Sequence, residues 1–119
     1  MSALAAFCTL VVDFFEDISE QYPEEKDIAS AASALKLLKK MNPRLIHTNF
    51  VKHVTAELRQ RILAEDEEFI IAKAKETMSS GDSAFWIFNK HWSTMSETNK
   101  QHVWKYIKSM VLLSERVGR

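Results

Sequence analysis

A chain of 119 residues with only two glycines and two prolines has few places to reverse direction sharply. All-β folds need turn residues at intervals of roughly 8–12 positions, so this scarcity argues for helices joined by short connections. Hydrophobic periodicity agrees. Apolar residues recur at helical spacing along nearly the whole chain, and no run alternates for long as a strand does. The expectation is an all-α fold: a single compact bundle of five or six short helices, forming one domain over residues 1–119.

The first helix is predicted over residues 2–20. At about 100° per residue, Leu4, Phe7, Leu10, Val11, Phe14, Phe15 and Ile18 share one arc, and Asp13, Glu16, Asp17 and Glu20 lie opposite. Glu16, Asp17 and Glu20 crowd the C-terminal end, where the helix dipole disfavours anions. Either solvent or the basic segment from Lys36 to Arg44 offsets them. Tyr22-Pro23 ends this element, because the residue before a proline avoids the α region. A second helix over Asp27–Met41 turns Ile28, Ala31, Ala32, Leu35 and Leu38 inward, with Asp27 as its N-cap. Asn42-Pro43 reads as a cap followed by proline at the first helical position, opening a third helix with Leu45, Ile46, Phe50 and Val54. Thr55–Ala64 has helical propensity, and Asp66 caps the helix that follows to Met78. After the loop Ser79-Ser80-Gly81-Asp82, helices are expected at about 83–93 and, capped by Ser96, about 97–116.

Net charge is zero, yet the charges are segregated. Residues 1–25 hold six acids and no bases, and residues 26–61 hold eight bases against Asp27 and Glu57. Residues 62–82 are acidic again and residues 83–119 basic, so the blocks either pair within one fold or make opposed patches. The single cysteine, Cys8, excludes an intrachain disulfide and fits a reducing compartment. Met1–Val12 is apolar but lacks a basic leading region, and no stretch approaches the roughly 18–20 apolar residues of a membrane span. A cytoplasmic location and no membrane partner are expected.

Chemistry has little to work with. His47 and His53 point away from each other on a helix, and His53 with Glu57 offers two ligands where zinc needs more. His91 and His102 lack partner spacing. Cys8 has no basic sequence neighbour to activate it, and two glycines cannot build a phosphate loop. The expectation is no metal, no cofactor, no catalytic residue and no enzyme activity.

Two binding surfaces are conceivable. The basic stretch over 36–61, led by Lys36, Lys39, Lys40 and Arg44, would suit phosphates, although a pI near 6.9 is low for a nucleic-acid binder. The aromatic-rich last third offers a protein interface instead. Phe85, Phe88 and Trp92 share one helix face, while Trp86 lies about 100° and Ile87 about 160° away. In the last helix Val103, Trp104, Ile107, Met110, Val111 and Val117 form the main stripe, and Leu112 lies outside it. Trp86, Ile87 and Leu112 are therefore the expected interface of a non-enzymatic protein-binding module, with a second copy of the chain as one conceivable partner.

Several short motifs lie along the chain: Phe14 through Tyr22-Pro23-Glu24, Asn42-Pro43-Arg44, Asp66-Glu67-x-Phe69, Trp86 and Trp92, and Lys100-x-x-Val103-Trp104-x-Tyr106. Together they resemble a group of small helical proteins of unassigned function encoded by large nucleocytoplasmic DNA viruses. The resemblance implies a one-domain helical protein of the infected cell or the virion, and it brings no catalytic residues with it.

Overall fold

A computed structural model describes residues 2–78 and 91–117, with the backbone alone over 74–78. The described residues form six α-helices and one 3-10 turn, with no strand among them, in agreement with an all-α fold. They are α1 (Ala3–Gln21), α2 (Lys26–Met41), α3 (Pro43–His53), α4 (Ala56–Leu63), α5 (Glu67–Met78) and α6 (Glu97–Val117), with the 3-10 turn at Trp92–Thr94. They fall into two compact units, one of residues 1–54 with 109–119 and the other of residues 55–108.

In the first unit α1 packs against both α2 and α3, and α2 packs against α3. Ser2 caps α1, its Oγ accepting from the Ala5 N–H at 3.0 Å. The buried arc of α1 holds Phe7, Val11, Phe14 and Ile18 as the periodicity predicts, and it widens to take in Cys8 and Val12. Phe7 is fully buried, its ring in T-shaped pairs with those of His47 and Phe50 at 5.4 and 5.0 Å between centroids. The expected cap at Asp27 is corrected. The chain turns at Tyr22–Glu25, whose Glu25 N–H bonds the Tyr22 carbonyl, and α2 begins at Lys26 with Glu25 at the cap position. Asp27 lies in the first turn, where its charge still complements the helix dipole. Pro43 opens α3 as expected; Asn42 stands at the cap position but makes no capping side-chain bond.

The second unit is built on helix ends. Thr55 caps α4 through the Leu58 N–H at 3.2 Å. With no glycine to end α4, Glu65 takes the left-handed conformation at φ 55°. The Glu65 N–H then bonds the Ile62 carbonyl and the Asp66 N–H the Arg61 carbonyl, a Schellman pair. Asp66 starts α5 as predicted, accepting from the Phe69 N–H at 3.2 Å, and its other oxygen accepts from Arg61 at 2.8 Å. The neighbouring acids also have cations: Glu65 meets Lys108 at 2.6 Å and Glu67 lies 4.0 Å from Lys100. Trp92 and Trp104 are buried edge-on to each other at 5.6 Å, and the Trp92 Nε1–H donates to Glu67. Ser96 caps α6 through the Asn99 N–H.

Candidate protein-docking face

Helix α2 carries an apolar inner seam and an outer row that ends in two large apolar side chains. Its alanines, Ala29, Ala31, Ala32 and Ala34, favour helix without filling space, so the seams are set by the few larger side chains. The inner seam is the predicted one: Ile28 and Ala32 are buried, and Ala31, Leu35 and Leu38 are half-buried. The outer seam is Ser30, Ala34, Leu37 and Met41, spaced four, three and four residues apart, and all four are exposed. Leu37 is 59% and Met41 75% exposed, the two highest values among the large apolar residues described. That spacing keeps one face turned to a partner over three turns, the geometry of a helix–helix seam. Scattered single hydrophobics on a surface are ordinary; Leu37 and Met41 instead stand one turn apart in a row about 120° round the helix from the core seam.

Basic residues border this seam unevenly. Lys40, three residues after Leu37, is exposed beside it, and Arg44 is exposed on the first turn of α3. Lys36 is tied to Glu16 of α1 at 2.8 Å, so one block of the segregated charge does pair with another inside the fold. That bond holds the Lys36 ammonium above its usual range, through the hydrogen bond first and the charge of Glu16 second. Lys39 is half-buried, turned about 100° from Lys40. Its charge opposes, without cancelling, the burial that pushes the Cys8 thiol up. Lys36, Lys39, Lys40 and Arg44 therefore do not present four equivalent cations to one ligand.

Of the expected interface, Trp86 and Ile87 lie outside the described residues, as do Phe85 and Phe88. Leu112 is 49% exposed, consistent with its place off the α6 stripe. Its helical neighbours Lys108, Ser109, Glu115 and Arg116 are polar, so it stands as a single apolar side chain without a seam. On α3, Leu45 and Val51 are also exposed, but six positions put them about 120° apart. Periodicity read for the core stripe of α2 alone passes over Leu37 and Met41 on its outer face. Its signal was present in the 4-3-4 spacing of residues 30, 34, 37 and 41.

Two of the remaining candidate groups, His47 and Cys8, have structural partners. His47 is buried, its Nε2 donating to the Ser114 carbonyl at 2.9 Å. Cys8 is buried and its thiol donates to the Pro43 carbonyl at 3.3 Å. His53 ends α3 while Glu57 lies in α4, so the two are not one turn apart on a single helix. Among the described residues, no three His, Cys, Asp or Glu side chains form a group that could hold a metal ion. None of the helices described is long and apolar enough to cross a membrane. The chain matches no protein-family model, and no curated protein or solved structure matches it either.

Proposed function

We propose that this protein is a non-enzymatic interaction module that docks another protein on the outer face of α2. The observation that carries this is the exposed pair Leu37 and Met41, one turn apart in a row with Ser30 and Ala34. Exposing that row to water has a hydrophobic cost that a partner relieves, at about 25 cal/mol per Å² of apolar surface covered. A nucleic-acid role for Lys36, Lys39, Lys40 and Arg44 is weaker, since Lys36 is ion-paired and Lys39 half-buried. On the motif resemblance, such a module would act in an infected cell or a virion.

The test is capture by the immobilised chain from its native source after nuclease treatment, comparing wild type with Leu37→Glu and Leu112→Glu. A protein partner kept by Leu112→Glu and lost by Leu37→Glu is the expected result. Loss with Leu112→Glu alone would move the interface to α6. Material removed by nuclease, with binding that falls steeply as salt rises, would return the function to the basic residues.

A further inference from the structure

We infer that the occupant of the α2 face is an acidic amphipathic helix of a different protein, an inference that rests on the docking role proposed above. Three features select this occupant. The first is the straight row that residues 30, 34, 37 and 41 make along α2, a ridge of about three turns along which a second helix can pack. The second is the size gradient along the seam. Ser30 and Ala34 are small and let another backbone come close, while Leu37 and Met41 supply the anchors at the other end. A lipid surface would gain little from the small half, because interfacial helices depend on a continuous row of large apolar groups.

The third feature is charge. Between Asp27 and Glu57 the chain has Lys36, Lys39, Lys40, Arg44 and Lys52 and no acid. Lys40 sits at the position flanking the seam, where coiled-coil partners place a charge of opposite sign. A second copy docking α2 on α2 in parallel would set Lys40 beside Lys40, which opposes self-association in that register; an antiparallel copy, which would set the exposed Asp27 near Lys40, is the rival that the oligomeric state of the free chain tests. An incoming helix with apolar residues at three- and four-residue spacing and Glu or Asp on its flank satisfies both seam and rim. Met41, unbranched and soft, suits a face that adapts to the partner's side chains.

The experiment is selection from a library of helical peptides with randomised faces, panned against the full chain, with parallel binding to phosphatidylserine vesicles. The expected ligands carry Leu, Ile or Met at three- and four-residue spacing with acidic flanks. Exchanging their flanking acids for lysine should weaken binding roughly tenfold or more at low salt. Leu37→Glu should abolish binding, and Lys40→Glu should narrow or reverse the preference for acid. Both variants lie on exposed positions and should keep the wild-type circular dichroism spectrum. Ligands lost with Leu37→Glu but basic or extended in character would overturn the acidic-helix inference while leaving the docking role standing. Ligands indifferent to Leu37→Glu, or none at all, would overturn both. Vesicle binding abolished by Leu37→Glu would assign the face to lipid and also overturn the inference.

Discussion

The imidazole of His47 donates from Nε2 to the main-chain carbonyl of Ser114 at 2.9 Å, linking α3 to the last turn of α6 across 67 residues of sequence. Both residues are buried, and the His47 ring also packs against Phe7 in a T-shaped pair. The carbonyl oxygen can only accept, so Nε2 carries the proton. Replacing His47 with Ala removes a donor from a buried acceptor near the negative end of a helix. We expect a loss of roughly 1–3 kcal/mol in urea unfolding. His47→Gln, which can still offer an N–H, should lose less than His47→Ala; equal losses would show that the bond contributes little.

Glu65 is a non-glycine residue held at φ 55° because the chain closes α4 with a left-handed cap. The ion pair to Lys108 obscures its conformational cost, so the comparison belongs in a Lys108→Ala background. There Glu65→Gly should stabilise by about 1 kcal/mol, since glycine adopts this conformation without strain. Glu65→Ala should give no such gain. Thermal unfolding of the two variants distinguishes them.

Buried and exposed leucines should respond differently. Leu58 is 1% exposed, and truncation to Ala should cost about 2–5 kcal/mol. Leu37→Ala and Leu112→Ala should each lie within about 0.5 kcal/mol of wild type in the free protein. A large loss at Leu37 would mean that the residue belongs to the fold and not to a docking face.

Burial raises the pKa of the Cys8 thiol above its ordinary value, with Lys39 opposing the rise. A raised folded value means that the contribution is complete below the unfolded thiol pKa and is lost as pH rises through the folded one. Stability should therefore decline in the alkaline range, above about pH 8.5, more steeply in wild type than in Cys8→Ala. In the native protein at neutral pH, Cys8 should resist alkylation until the chain unfolds. Rapid native-state labelling would contradict its burial.

Helix positions were legible in the sequence wherever capping chemistry was local. Ser96, Asp66 and the Asn42-Pro43 junction marked helix starts close to where they occur. Asp27 misled because two neighbouring residues, Glu25 and Asp27, could each have opened the helix; the preceding turn at Tyr22–Glu25 decided for the earlier one. The end of α4 was illegible for a different reason. The usual mark is glycine, and here Glu65 takes the glycine conformation. Partners far apart in sequence were equally hidden: nothing local pairs His47 with Ser114, or Trp92 with Glu67. The outer seam of α2 could have been read from spacing alone, but only the structure distinguishes its exposed row from a second buried contact.

The most direct test follows the five methionine methyl groups by carbon–proton correlation spectroscopy while a captured or selected partner is added. Met95 and Met110 are buried, and Met41 is 75% exposed on the outer face of α2. The account predicts that the Met41 signal shifts or broadens in proportion to partner bound while Met95 and Met110 keep their positions. A saturated complex in which the Met41 methyl is unchanged would contradict it.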